Sequence, residues 1–189
     1  MTTLSIIGNG NMAKAIGGVA AAGGNTVEYL GRSGGAVNGD IVVLAIPFGE
    51  VDEALETYGP ALAGKVVVDI TNPVDFATFD GLAVPADSSA AAVIAEKVPA
   101  AKVLKAFNTT FAATLASGKV GAEKTTVLIA GDDDAAKSTL SAVVTAAGLN
   151  AIDAGSLKRA RELEALGFQQ ISLAASERIQ WTGGFAVVA

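Results

Sequence analysis

The sequence predicts an α/β fold built on a doubly wound parallel sheet, and three observations predict it. Short β-rich runs alternate with helical patterns along most of the chain. Apolar runs such as residues 41–46 are unbroken, as strands buried on both faces are. Much of the apolar content is Ala and Val, accompanied by 22 Gly, which suits helices packed closely on buried strands.

Taken in order, residues 4–7 read as a first strand and Asn11–Ala22 as an Ala-rich helix ended by Gly23-Gly24. Thr26–Leu30 is the second strand and residues 41–46 the third. Val51, Ala54, Leu55, Tyr58 and Leu62 then fall on one helical stripe, and residues 66–70 form a fourth strand. Residues 71–87 carry no clear period and hold Asn72-Pro73, Gly81 and Pro85. A loop of that length inside a compact domain is often functional. Asp87 or Ser88 caps a helix to about Val98, stopped by Pro99. A fifth strand (residues 103–107), a short helix (110–117) with Gly118 at its end, and a sixth strand (126–130) follow. Asp132 or Asp133 caps the next helix, which runs to about Ala147 before Gly148, and residues 151–154 make a last short strand.

From Ser156 to about Trp181 the pattern is helical, with Leu163, Leu166, Gln170, Ile171 and Ala174 along one side. This breaks the alternation. The chain therefore divides into a domain of residues 1–155 and a C-terminal helical appendage, residues 156–189. An apolar helix outside the repeat is usually covered, so a homodimer through this helix is expected. The rival reading is that it packs back on its own sheet.

Composition narrows the chemistry. With 189 residues, 51% hydrophobic and 17% charged, the chain is an ordinary globular protein. A formal net charge of −6 does not attract nucleic acid or an anionic membrane. No stretch approaches the ~18–20 apolar residues of a membrane span. Met1-Thr2-Thr3-Leu4 runs into a strand without a basic segment, so a cytoplasmic protein is expected. The absence of Cys excludes disulfides and thiolate chemistry; the absence of His removes the commonest acid–base group and metal ligand. Chemistry must rest on positioning, on carboxylates, Lys or Tyr, or on a bound cofactor. Neither Tyr29 nor Tyr58 is followed by Lys at i+4, and no residue stands out as a catalytic acid.

The motif that carries most is Gly8-Asn9-Gly10-Asn11-Met12-Ala13, a G-x-G-x-x-A run between a short apolar strand and a helix. That is where the Rossmann dinucleotide fingerprint must lie. Gly8 permits the tight turn, Gly10 lets backbone approach a pyrophosphate, and Ala13 keeps helix and strand close. The phosphates would sit on free N–H groups at the positive end of the helix. The choice between dinucleotides is read at the end of the second strand, where an NAD site places Asp or Glu. Here stands Tyr29-Leu30-Gly31-Arg32-Ser33-Gly34; Glu28 lies earlier, inside the strand. Gly31, Arg32 and Ser33 thus point to a 2′-phosphate and to NADP.

Ile46-Pro47-Phe48, Asn72-Pro73 and Lys105-Ala106-Phe107-Asn108-Thr109 should lie along the same carboxyl edge of the sheet, where ligands of open α/β sheets bind. Asn72-Pro73 reads equally as an ordinary turn. The run Asp132-Asp133-Asp134 at a helix start reads as a cap and dipole partner rather than a metal site.

These segments, with Ala45-Ile46-Pro47, Thr71-Asn72-Pro73 and Asp153-Ala154-Gly155-Ser156-Leu157, resemble in order the NADP oxidoreductases that use the 8-hydroxy-5-deazaflavin coenzyme. The likeness covers nearly the whole chain. More distantly the chain is similar to pyrroline-5-carboxylate reductases and to the cytosolic domain of six-transmembrane metalloreductases. The resemblance implies that Gly8, Asn9, Gly10, Asn11, Met12, Gly31, Arg32 and Ser33 hold NADP. It also implies that Ile46, Pro47 and Asn72 line the nicotinamide side, with Phe48 and Pro73 next to them as further cofactor-binding residues, and that Asn108 and Thr109 face a second substrate, a deazaflavin or flavin-like ring. The chain departs from the family at Asn108, where the characterised enzymes tend to carry His, and between Ser33 and Asp40, where its shorter stretch lacks a helix. The expected activity is hydride transfer between nicotinamide and a second ring or small acceptor; a dinucleotide-binding sensor without turnover is the alternative.

Overall fold

A computed structural model describes residues 1–188. Its elements, in chain order, are β1 (Thr3–Ile7), α1 (Asn11–Ala22), β2 (Thr26–Leu30), β3 (Ile41–Leu44), α2 (Val51–Tyr58), β4 (Val66–Asp69), α3 (Ala90–Lys97), β5 (Lys102–Lys105), α4 (Ala112–Ser117), β6 (Lys119–Val120), β7 (Glu123–Lys124), β8 (Thr126–Gly131), α5 (Asp134–Ala146), β9 (Asn150–Gly155) and α6 (Ala160–Ala175). Seven strands form one sheet in the order β2-β1-β3-β4-β5-β8-β9, and β6-β7 is a separate hairpin.

The strands alternate between two cores. Ile41 and Val43 face one side with Leu4, Ile6 and Ile129, under α1, α4 and α5. Val42 and Leu44 face the other with Val67 and Val103, under α2, α3 and the start of α6. That is a doubly wound sheet, and both faces are dry, which explains the unbroken apolar runs. Gly17 leaves room for the Tyr29 ring between α1 and β2. A Cβ there would come within 2.1 Å of the Tyr29 hydroxyl.

The sheet is mostly, not wholly, parallel. β1 to β5 run in one direction, but β8 pairs antiparallel with β5 through Leu104–Gly131 and Lys105–Ala130, and β9 runs parallel to β8. A parallel crossover needs an element that carries the chain back along the sheet. The β5–β8 connection holds the six-residue α4 and the small hairpin, and β8 starts beyond the carboxyl edge and returns. Gly131 makes the pairing possible, since a Cβ there would meet Leu104 Cδ2 at 2.2 Å. This reversal puts Asp132–Asp134 at the opposite edge of the sheet from the ends of β1 to β5.

Helix boundaries are as follows. Ser89, not Asp87 or Ser88, caps α3, accepting from Ala92 N at 3.0 Å. Asp133 caps α5, accepting from Ala136 N at 2.8 Å. The last helix stops at Ala175 rather than near Trp181.

α6 climbs back along its own fold. Leu163, Glu164, Gly167, Gln170 and Ala174 are buried, while Leu166 is exposed and Ile171 half-buried. At Gly167 the helix approaches so closely that a Cβ would lie 2.3 Å from Asn72 Oδ1 and 2.9 Å from the Asn108 carbonyl oxygen. The tail then turns back, with Phe185 N donating to Gln170 Oε1 at 2.9 Å. Most of the apolar side expected at a dimer interface is therefore covered from within the chain. Among the described residues no helix is long and apolar enough to cross a membrane.

Candidate functional site

The ends of β1, β2 and β3 open into a cleft of about 440 Å³. Its floor is the fingerprint turn. Gly8 has φ +120°, and a Cβ there would sit 2.2 Å from the Ala45 carbonyl oxygen, so the turn and the end of β3 touch through backbone alone. Gly8 N donates to the Leu30 carbonyl at 3.0 Å, tying the turn to β2. At Gly10 the situation is reversed: a Cβ would meet nothing within 4 Å, and the space above it is open. Gly10 is the N-cap of α1 and offers no side-chain cap, and the first turn carries no acid. The N–H groups and positive end of a twelve-residue helix thus face the cleft uncompensated, which is the arrangement that takes a pyrophosphate.

Gly31 and Arg32 form one wall; Ile46 and Pro47 form another, and α2 closes the side with Glu50, Glu53, Ala54, Thr57 and Tyr58. Tyr58 is buried and its hydroxyl donates to the Gly31 carbonyl at 2.5 Å, fixing the turn after β2. That hydroxyl is committed and is no free acid. Arg32 Nη2 meets Glu50 Oε1 at 2.7 Å, with the Arg side chain 72% and the Glu side chain 36% exposed.

Glu28 points elsewhere. It accepts from Asn38 N and Asn38 Nδ2, both at 2.9 Å, and from the Ser5 hydroxyl. The Asn38 and Ser5 hydrogen bonds hold its carboxyl below the usual range. It pins the β2–β3 crossover and is not a ribose ligand.

Of the residues expected from the sequence, Gly8, Asn9, Gly10, Gly31, Arg32, Ile46 and Pro47 line this one cleft. Asn11 and Ser33 are exposed at its margin in sequence, Met12 packs toward one core and Phe48 toward the other. Pro73 is buried and Asn72 half-buried.

Asn108 requires a correction. It was expected to face a second substrate, but it is 4% exposed beneath α6. Its Nδ2 donates to Asn72 Oδ1 at 2.9 Å and to the Leu163 carbonyl at 2.8 Å, while Asn72 Nδ2 donates to the Asn108 carbonyl at 2.9 Å. The cause is Phe107, buried with φ +63°, which turns the chain inward just past β5. Thr109 is likewise buried, and Gln170 Nε2 donates to its carbonyl at 3.4 Å. The pair Asn72–Asn108 is a brace between β4, β5 and α6.

Below this brace lies a feature that the sequence did not disclose. Lys105, Asp69 and Glu164 are each fully buried. Lys105 Nζ lies 2.7 Å from Asp69 Oδ2 and 2.7 Å from Glu164 Oε1, and it donates to the Thr71 carbonyl at 2.5 Å. All three ammonium protons have acceptors. Glu164 also accepts from Ala90 N at 2.9 Å and Ala91 N at 3.3 Å, at the start of α3. Burial pushes the Glu164 carboxyl up, against the pull of Lys105. Lys105 and Asp69 are visible in the sequence only as polar residues inside strands; nothing in it pairs them with a residue on the last helix.

The acidic run is spent on structure. Asp132 accepts from Leu157 N at 2.9 Å, Asp133 pairs with Lys102 at 3.1 Å besides capping α5, and Asp134 pairs with Lys137 at 3.1 Å. Among the described residues no group of His, Cys, Asp and Glu could hold a metal ion.

A doubly wound sheet with an open glycine turn at the first helix defines the class: a Rossmann-type α/β protein. Comparison with known proteins goes further. Residues 30–73 match the family described as NADP oxidoreductase, coenzyme F420-dependent. The chain is 28% identical over 151 residues to the F420-dependent NADP reductase of Methanocaldococcus jannaschii, covering 78% of this chain and 68% of that one. It is 36% identical over 131 residues to the metalloreductase STEAP3 of Rattus norvegicus, covering 69% of this chain but only 26% of that protein. The crystal structure of a candidate F420-dependent NADP reductase from Arthrobacter sp. FB24 superposes over the full length of both chains, with a TM-score of 0.87 at 24% identity. The resemblance read from the sequence, to the NADP oxidoreductases of the deazaflavin-coenzyme type, is borne out.

Proposed function

We propose that the chain binds NADP(H) in the cleft between the ends of β1, β2 and β3. It would act as an oxidoreductase that moves hydride between nicotinamide and a second ring, of deazaflavin or flavin type, or a small acceptor. One observation carries the reading: an uncompensated helix N-terminus above open space at Gly10 lies in the same cleft as the Arg32 cation. The first suits a pyrophosphate, the second a 2′-phosphate. The family matched and the relatives named for F420-dependent NADP reduction support the choice of cofactor and acceptor.

In this reading Gly8, Asn9, Gly10, Asn11 and Met12 present the fingerprint turn, and Gly31, Arg32 and Ser33 receive the adenosine phosphate. Ile46, Pro47 and Phe48 continue the wall toward the nicotinamide side, with Asn72 and Pro73 beyond. The nicotinamide supplies or takes the hydride, and hydride transfer between stacked rings needs distance and orientation more than a protein acid. This is compatible with a chain lacking His, whose Tyr58 hydroxyl is already engaged. Asn108 and Thr109 act from beneath, by holding Asn72 and α6. A homodimer remains part of the proposal, resting now on the exposed Leu166, Trp181, Phe185 and Val188; light scattering at micromolar concentration tests it, and a monomer refutes it.

The test of the function is a titration followed by turnover. Losing a charge-assisted contact to the 2′-phosphate costs about 1.5–3 kcal/mol, so Arg32→Ala should weaken NADPH by about one to two decades and leave NADH nearly unchanged. Equal losses for both dinucleotides would refute the assignment. Bound NADPH that reduces no deazaflavin, flavin or small acceptor would reduce the protein to a sensor.

A further inference from the structure

The end of β2 offers no acid for the ribose of a dinucleotide, but the cleft does contain one, brought from another element. Glu50 stands where the 3-10 turn Phe48–Glu50 enters α2, held by its own N–H to the Pro47 carbonyl at 2.9 Å. It reaches across the mouth of the cleft to Arg32 at 2.7 Å. A ribose lying beside Arg32 therefore lies beside a carboxylate as well. The ionisable side chains lining the cleft are Arg32, Glu50, Glu53 and the engaged Tyr58, which sets one cation against two carboxylates. A wall built only for a dianionic phosphate would have the opposite balance.

We infer that Glu50 is the ribose acceptor that the β2 end lacks, and that the cleft takes NADH as well as NADPH. This inference rests on the dinucleotide reading of the cleft. The Arg32–Glu50 pair is the selector. An exposed pair of this kind is weak and opens readily. When a 2′-phosphate arrives, Arg32 leaves Glu50 for the phosphate, and the Glu50 charge beside it opposes binding. When a free 2′-hydroxyl arrives, Glu50 accepts its proton in a charge-assisted hydrogen bond, and Arg32 has no phosphate to gain. Glu50 thus lowers the preference for NADPH that Arg32 creates.

Glu50→Gln tests this, with dissociation constants for NADPH and NADH measured on wild type and variant by tryptophan or nucleotide fluorescence. The substitution keeps the shape of the side chain on a solvent-facing rim, and the melting temperature of the variant checks that it is folded. NADH should weaken about tenfold, the loss of one hydrogen bond to a charged acceptor. NADPH should hold or tighten a few-fold, so the NADPH:NADH preference rises more than tenfold. A preference that stays within threefold of wild type, or equal weakening of both cofactors, overturns the role of Glu50 while leaving the dinucleotide site standing. A wild type that binds neither cofactor overturns the site itself, and the inference with it.

Discussion

Replacing Lys105 by Met would strand two carboxylates in the interior. Asp69 and Glu164 have no exposed surface, and the ammonium lies 2.7 Å from each. Removing one partner of a buried ion pair costs about 3–5 kcal/mol, because the other charge is left uncompensated. Here one cation serves both carboxylates and the Thr71 carbonyl, so the upper end, about 5 kcal/mol, applies. In a chain of this length each kcal/mol is worth about 2–4 °C, which gives a fall in melting temperature of about 10–20 °C at neutral pH. The loss should depend on pH. Glu164, already held up by burial and now without Lys105, takes up a proton above its unfolded value, so the folded variant binds more protons than its unfolded chain. Its stability is then greatest at low pH and falls as pH rises through the folded value. Melts of wild type and Lys105→Met at pH 7 and pH 5 should show the deficit shrinking at pH 5. A variant that melts within 3 °C of wild type, or a deficit that is the same at both pH values, would refute the reasoning.

Glu164→Gln isolates the second carboxylate: since burial holds Glu164 up, wild type should gain stability relative to the variant as pH falls from neutral toward its ordinary 4.5, and a flat difference across that window would count against the cluster. Gly8→Ala puts a Cβ 2.2 Å from the Ala45 carbonyl oxygen at φ +120°, so both the melting temperature and NADPH affinity should drop sharply; normal binding would mean that the fingerprint turn is not the cofactor floor. Asn108→Ala removes the donor to Leu163 and Asn72, and should cost about 1–3 kcal/mol in urea unfolding while the NADPH dissociation constant stays within about threefold; an unchanged midpoint would show that the brace bears no load.

What could be read in advance, and what could not, divides along physical lines. α1 was legible to the residue, because an Ala-rich period bounded by Gly10 and Gly23 is a local signal. The fingerprint, Arg32 and the Ile46-Pro47 wall were legible because strand ends fix which edge a loop occupies. The direction of β8 was not, since an apolar run looks the same whichever way it lies. The hairpin β6–β7 has strands of two residues, too short for any period. Glu50 and Glu164 were missed for one reason: each acts on a residue far away in sequence, Arg32 and Lys105, and no local pattern announces a charge partner 18 or 59 positions distant. Asn108 was placed at the right edge and given the wrong direction, because the left-handed turn at Phe107, a residue that seldom adopts it, decides where the side chain points.

The close passage of α6 at Gly167 has a consequence for how the protein comes into being. A chain emerging from the ribosome usually folds its first domain while the rest is still being made. Here the first 155 residues contain the whole sheet, yet buried Lys105 has only Asp69 as a charge partner until Glu164 arrives, and the N–H groups of Ala90 and Ala91 wait for the same carboxylate. Until the last helix has been translated, the sheet has a polar seam with nothing to close it. α6 is therefore the keystone of the sheet: limited proteolysis should find residues 1–155 open until the segment that carries Glu164 can dock.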